Sequence, residues 1–321
     1  MKIAILDDYQ QIAMQSADWS SLPKGTEVKS FSQNIADQAE LVKQLQPYDV
    51  IIAMRERTPF PAQVIDALPN LKLLVSTGAR NASIDSAACE RRKIALSGSH
   101  GTKSAQSSTS EVAWALMLAL AKRLPQCEKA MRSGGWQEHV MTESLAGKTL
   151  GVLGLGRLGQ FVAKYGQAFG MNVIAWSPNL TDERAAAVAV RRVAKEALFK
   201  ESDFISVHMV LSKTTRGIVG AAELGLMKPT AYIINTSRGP LIDEQPLINV
   251  LQNKKIAGAG LDVFDIEPLP LNHPYRRMDN VVITPHLGYV SQQNYDKYYP
   301  DIVENIRTFL DGKPTRVIAP R

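Results

Sequence analysis

Three side chains able to move a proton or grip an anion follow separate apolar segments in the second half of the chain. Arg238 comes after Tyr232–Asn235, Glu267 after Gly260–Phe264, and His286 after Val281–Thr284. Histidine titrates near neutrality, and a carboxylate beside it favours the charged ring. A guanidinium is always charged and planar, so it holds a carboxylate or a carbonyl as a fork. Ligands of open parallel sheets bind beyond the carboxyl ends of the strands. All three residues fall on that edge if each apolar segment is a strand. The same edge carries a glycine turn. Thr149–Gly159 reads TLGVLGLGRLG, with Gly154, Gly156 and Gly159 in G-x-G-x-x-G spacing, and a helix-like stretch, Gln160–Phe169, follows. Such a turn suits a dinucleotide pyrophosphate. Gly154 permits the tight turn, Gly156 lets backbone approach phosphate, and Gly159 lets the helix pack close to the strand. The helix start offers N–H groups to the anion. Arg157 and Leu158 complete the turn. Thr236 and Ser237, ahead of Arg238, and Gly288, after His286, are expected at the cofactor with them.

These residues need elements to position them. The N-terminal third alternates strand candidates (Lys2–Leu6, Asp49–Met54, Leu71–Ser76, Ile94–Leu96) with polar helices, which implies a parallel, doubly wound sheet. Gly98–Ser110 reads as a crossover linker, Glu111–Arg123 as a buried helix, and Leu124–Leu145 as a less regular arm suited to self-association. From Thr149 the pattern repeats. Candidates Thr149–Leu153, Asn172–Trp176, Phe204–His208, Tyr232–Asn235, Gly260–Phe264 and Val281–Thr284 suit a six-stranded dinucleotide fold. A last helix near Tyr298–Leu310 is expected to return to the first domain. The expected class is α/β, with two doubly wound parallel-sheet domains flanking a cleft. Residues 1–103 plus 290–321 form a flavodoxin-like substrate domain, and 104–289 a Rossmann cofactor domain.

Bulk properties narrow the classes. The 321 residues are 45% hydrophobic and 21% charged, as in a soluble protein with a real core. No apolar run approaches the roughly 20 residues that cross a bilayer. The start, MKIAILDDYQ, meets acidic residues too early for a secretory signal. Cys89 and Cys127 lack metal-ligand spacing and read as inert thiols in a reducing, cytoplasmic setting. The net charge of +6 comes from scattered Lys and Arg, so neither a nucleic-acid arm nor a membrane patch is expected.

VLGLGRLG, NTSRGPLID, GLDVFDIEPLP and TPHLG, in this order and spacing, resemble the D-isomer-specific 2-hydroxyacid dehydrogenase family. The resemblance extends to STGARNASID in the first lobe. It implies a catalytic Arg, Glu and His at Arg238, Glu267 and His286, and a small anionic 2-keto or 2-hydroxy acid as substrate. His286 would give the proton to the carbonyl oxygen, Glu267 would support it, and Arg238 would hold the substrate. Asp262 is placed to meet the nicotinamide carboxamide. Gly78-Ala79 would present backbone N–H groups to the substrate carboxylate, and Arg55 matches a family arginine near the substrate. His100, His139 and His273 match no motif, and His208 reads as a packing residue. A homodimer is the family's expected assembly.

The cofactor is expected to be NAD(P)(H), with a lean to NADP. NAD-binding lobes usually place a carboxylate about 20 residues beyond the glycines to hold the ribose 2′-OH. Here the second strand ends Trp176-Ser177-Pro178-Asn179, and Ser177 and Asn179 could instead hydrogen-bond a 2′-phosphate. Tyr289, after His286, is bulkier than the small residues common there and argues against a large substrate. The chain stops soon after its last helix, so an appended regulatory domain is not expected. Two readings compete on the same fold. One is a dinucleotide-sensing corepressor, opposed by the intact Arg–Glu–His set. The other is formate or phosphonate oxidation; formate oxidation generally goes with a glutamine where Glu267 stands.

Overall fold

The structure, a computed structural model, describes residues 1–100, 107–137 and 140–319. The proposed crossover at 98–110 and the 103/104 domain boundary fall partly or wholly outside the described residues, as does His139. The chain divides into two compact units, Met1–Ala105 with Ser291–Arg321 and Gln106–Val290.

In the first unit, β1 (Lys2–Ile5), β2 (Glu27–Ser30), β3 (Val50–Ala53), β4 (Leu73–Ser76) and β5 (Ala95–Gly98) pair in parallel in the order β2-β1-β3-β4-β5. β3 and β4 are buried along their whole length, which is why they read as unbroken apolar runs. β2 carries no such run. It is an edge strand with exposed Glu27 and Lys29, and charge on an edge discourages pairing with a stranger. Strand order reverses between β1 and β3, so the loops after them share the carboxyl edge.

The C-terminal helix runs Gln292–Leu310, six residues longer at its start than expected. The Ser291 side chain caps the Asn294 N–H, and Pro300 lies inside the helix. Tyr295, Tyr299, Ile302 and Ile306 of this helix are fully buried or nearly so. Tyr299 meets Trp19 edge-on at 6.3 Å between centroids. The segment after the helix pairs antiparallel with β5 (Gly98 N to Arg316 O and Ile318 N to Leu96 O, both 2.9 Å). Asp301, 2% exposed, ties these pieces together. It accepts from Ser99 Oγ at 2.8 Å and pairs with Lys297 and with Arg316 at 3.1 Å. Asp301→Ala leaves Ser99 without its acceptor, while Lys297 reaches solvent and Arg316 keeps Glu304, so it is expected to cost about 1–3 kcal/mol. Urea unfolding of the two proteins measures it, and an unchanged midpoint refutes the clamp.

The second unit has β6 (Thr149–Leu153), β7 (Asn172–Trp176), β8 (Arg191–Arg192), β9 (Phe204–Val207), β10 (Tyr232–Asn235), β11 (Gly258–Leu261) and β12 (Val281–Ile283), all parallel. The order is β12-β11-β10-β9-β6-β7-β8, seven strands where six were expected. The extra one, β8, is two exposed arginines at the edge and has no apolar signature. Strand β11 ends at Leu261, so Asp262 lies just beyond the strand rather than inside it. Helix Ser108–Ala121 is apolar around most of its surface and packs on β10 and β11, as a buried helix should. Leu124–Arg132, read as irregular, is a helix with no buried residue. Among the described residues, no helix is long and apolar enough to cross a membrane.

Candidate active site

Strand order in the second unit reverses between β6 and β9, which makes their carboxyl ends the ligand crevice of this sheet. β6 runs into the glycine turn there. Gly154 has φ +105°, and a Cβ on it would lie 2.6 Å from the His208 carbonyl oxygen. A Cβ on Gly159 would meet the Gly154 carbonyl oxygen at 2.1 Å. Only glycine fits either place. Gly156 differs: among the described residues, no side chain caps the first N–H groups of helix Arg157–Ala168, and a Cβ on Gly156 would meet no atom within 4 Å. That open approach to a helix start fits a phosphate group. Two buried polar atoms on the same edge, Thr236 Oγ1 and His208 Nδ1, have no hydrogen-bond partner among the described residues. Buried polar groups are rarely left so, and both suit a ligand rich in donors and acceptors.

β10 leads into Thr236-Ser237-Arg238. Asn235, 1% exposed, holds this turn from within: its Oδ1 accepts from Ser237 N at 3.0 Å and its Nδ2 donates to Arg238 O at 2.9 Å. Ser237 Oγ donates to Val207 O of β9 at 2.8 Å, and the Arg238 guanidinium donates to Ser237 O at 2.7 Å. Gly239 closes the arrangement. A Cβ there would lie 2.2 Å from the Phe264 carbonyl carbon, so the arginine loop rests backbone-on-backbone against the loop that bears Glu267.

His286 follows β12 in the left-handed region, at φ +56°, with its N–H on Thr284 O at 2.9 Å. Its Nδ1 lies 2.6 Å from Glu267 Oε2, while Glu267 Oε1 accepts from Phe264 N at 2.9 Å. The carboxylate is thereby fixed at both oxygens, and the imidazole is oriented through one nitrogen. The Tyr289 ring stands edge-on to the imidazole at 5.8 Å.

Asp262 is fully buried behind the histidine. Its Oδ1 accepts from Thr284 Oγ1 at 2.5 Å and Leu287 N at 2.7 Å, and its Oδ2 from Gly288 N at 2.9 Å. Burial pushes its carboxyl above the usual carboxylate range, against those hydrogen bonds and the nearby His286 charge. Asp262 and Gly288, both expected at the cofactor, are in the structure hydrogen-bonded to each other. Asp262 thus holds the histidine loop, a role its position after a glycine-rich strand did not reveal.

The remaining expected cofactor residues sit near β7. Ser177 Oγ accepts from Leu155 N of the glycine turn at 3.2 Å, and Asn179 O accepts from Arg184 Nη1 at 3.0 Å. Arg184 lies five residues further along the sequence, but helix Asp182–Ala186 brings it back to this loop. Arg157 is exposed, and Leu158 is half-buried.

In the first unit, Arg55 follows β3 at φ +52°, with its N–H on Thr77 Oγ1 at 2.9 Å. Gly78 after β4 is buried, and a Cβ on it would lie 2.4 Å from Arg55 Nη1, so the guanidinium lies against that glycine. Ala79 is exposed beside it, and Asn81 holds the Arg55 carbonyl. Asp7, after β1, was not singled out from the sequence. It is 1% exposed and accepts from Thr58 Oγ1 at 2.7 Å and Asn34 Nδ2 at 2.9 Å, which ties down the loop that follows Arg55.

The other histidines stay apart from this chemistry. His100 is exposed, and His273 spans Glu244 and Tyr275 N. His208 Nε2 is 2.7 Å from Ser206 Oγ, and burial lowers its pKa from 6.5 to about 4. Above pH 6.5 the folded and unfolded chains both carry it neutral. Between 6.5 and about 4 only the unfolded chain takes the proton, so the fold loses stability as pH falls through that window. Urea midpoints recorded across this range should fall more steeply for the parent than for His208→Asn. Parallel curves refute this origin of the acid sensitivity.

The chain belongs to the D-isomer specific 2-hydroxyacid dehydrogenase family, whose NAD binding domain matches residues 114–288. It is 36% identical over 278 residues to the D-3-phosphoglycerate dehydrogenase of Archaeoglobus fulgidus, covering 86% of this chain and 52% of that one. It thus spans about half the length of that relative. It is 36% identical over 259 residues to the glyoxylate reductase of Thermococcus litoralis, covering 78% of this chain and 77% of that one. Among solved structures, the phosphoglycerate oxidoreductase of Vibrio cholerae superposes with a TM-score of 0.90 at 34% identity, covering 97% and 99% of the two chains. These names are those of oxidoreductases acting on CH–OH donors. The matched domain is the one that carries the glycine turn, and it indicates a nicotinamide dinucleotide as cofactor.

Proposed function

We propose that this protein interconverts a small 2-keto acid and its D-2-hydroxy acid. The single observation that carries the reading is the His286–Glu267 contact of 2.6 Å on the sheet edge that also carries Arg238 and the glycine turn. Nicotinamide, when bound, supplies or accepts the hydride. His286, held through Nδ1, gives a proton from Nε2 to the carbonyl oxygen during reduction and takes it back during oxidation. Glu267 keeps the ring oriented. Arg238 grips the substrate's carboxylate and polarises its carbonyl. Arg55 and the backbone of Gly78 and Ala79 supply further carboxylate-binding groups from the first unit, which we take as the substrate domain. Gly154, Gly156, Arg157, Leu158 and Gly159 hold the pyrophosphate, with Thr236, Ser237, Asp262 and Gly288 toward the nicotinamide.

For the cofactor we favour NADP(H). Residues 177–179 offer no carboxylate to repel a 2′-phosphate, and Arg184 is drawn to that loop. The experiment is steady-state kinetics with a panel of 2-keto acids, glyoxylate and hydroxypyruvate first, against NADH and NADPH. Oxidation of the reduced dinucleotide is expected, faster with NADPH. A strong preference for NADH overturns the cofactor reading, and no oxidation with any acid overturns the activity.

We also propose a homodimer. Helix Leu124–Arg132 buries nothing, and Leu124, Met131, Trp136 and Met141 are exposed around it. Apolar surface of this kind marks an interface, and a two-fold pair is the commonest assembly. Sedimentation should give twice the mass of 35.2 kDa. Trp136→Glu should return the single-chain mass, and an unchanged dimer in that variant removes this segment from the interface.

A further inference from the structure

The run Ser107-Ser108-Thr109-Ser110 opens a helix, and hydroxyl residues at such a place ordinarily cap their own helix. Here they do not. Among the described residues no side chain caps the first turn, and Ser107 Oγ goes to Glu111 Oε1 at 2.6 Å. The hydroxyls of Thr109 and Ser110 leave the helix altogether. Thr109 Oγ1 donates to Gly288 O at 2.7 Å, two residues past His286. Ser110 Oγ, on a fully buried residue, donates to Leu158 O at 3.0 Å, inside the dinucleotide turn. Adjacent residues on one helical turn thus grip the histidine loop and the helix start that closes the glycine turn.

The grip on the histidine loop is tight. A Cβ on Gly288 would lie 3.0 Å from Thr109 Cγ2, 3.2 Å from Thr109 Oγ1 and 3.3 Å from Asp262 Oδ2. Gly288 is therefore clamped from two sides, its N–H by Asp262 and its carbonyl by Thr109. His286 sits next to this clamp in the left-handed backbone region, a conformation that persists in a non-glycine residue only when its surroundings fix it. The helix body is itself firmly seated, since Leu116 Cβ would lie 3.0 Å from a Cβ on Gly260 of β11. The clamp stands on rigid ground.

We infer that Thr109 is a positioning residue for His286, and that Ser110 links the same helical turn to the dinucleotide loop, so that filling the loop steadies the histidine. The inference rests on the activity proposed above. Two loops held by one rigid turn share their order: a ligand that immobilises one reduces the entropy still to be lost at the other.

The test uses Thr109→Val, which keeps the shape and the γ-methyl but loses the hydroxyl, and Thr109→Ser, which keeps the hydroxyl. Thr109→Val is expected to lower kcat by about tenfold, the worth of one hydrogen bond at the reacting geometry. Its dinucleotide affinity, measured by calorimetry with NADPH, should stay near the parent's. Thr109→Ser should recover most of the rate. Ser110→Ala should weaken NADPH binding, and the double variant should deviate from additivity in kcat. Parent kinetics in Thr109→Val overturn the inference. So do equal losses of rate, affinity and thermal midpoint in Thr109→Val with no recovery in Thr109→Ser, because they mark general loosening. His286→Ala separates this from the activity itself. If that variant is dead while Thr109→Val matches the parent, the activity stands and the brace falls. If His286→Ala keeps parent turnover, the activity reading falls first.

Discussion

Alanine in place of His286 is expected to lower kcat for 2-keto acid reduction by about two to four orders of magnitude, the usual worth of a positioned general acid. KM for the keto acid should change far less, because the proton moves only in the transition state. The geometry makes the prediction specific to this histidine. His286 alone among the described histidines pairs with a carboxylate that is itself pinned, at 2.6 Å, on the edge beside the glycine turn. His208 cannot stand in for it. Burial keeps that ring neutral until about pH 4, and its Nε2 is already matched with Ser206. Stopped-flow reduction at saturating dinucleotide measures the chemical step directly. Turnover of His286→Ala within about tenfold of the parent removes the histidine from proton transfer.

Arg238→Ala is the second large effect, and it should have a different signature. A charge-assisted fork to a carboxylate contributes in the ground state, and polarisation of the carbonyl contributes only as charge develops. Both KM and kcat should therefore suffer, with kcat/KM down by roughly two to three orders of magnitude. Arg238→Lys keeps the charge and loses the fork, so it should recover binding more than rate. Equal recovery of both would mean that a point charge suffices. The loop itself should survive either change, because Asn235 and Ser237 hold it through backbone groups.

Much of this arrangement was legible in the chain. Each strand with a continuous apolar run was recognisable, because burial on both faces forces that composition. Gly154 and Gly159 were legible because only glycine fits there, and Arg238, Glu267 and His286 stood out by the motifs around them. What escaped detection has the opposite character. β2 and β8 are edge strands whose exposed charges look like loop. Asp262 and Asp7 resemble ordinary strand-end acids until their hydrogen bonds are known, and Thr109 resembles a helix cap. These are tertiary facts, set by partners 25, 51 and 179 residues away. No local pattern encodes them. The start of the last helix was missed for the same reason, since Ser291 caps it well before Tyr298.

The first compact unit is built from both flanks of the second. β5 and the segment 315–318 lie side by side, yet the ribosome emits them some two hundred residues apart, with the whole of 106–290 in the interval. A nascent chain can therefore close the interrupting unit while the interrupted one still lacks Asp301 and the tyrosines of its last helix. Synthesis thus lets the inserted unit mature before the segment that completes the framing unit has been made.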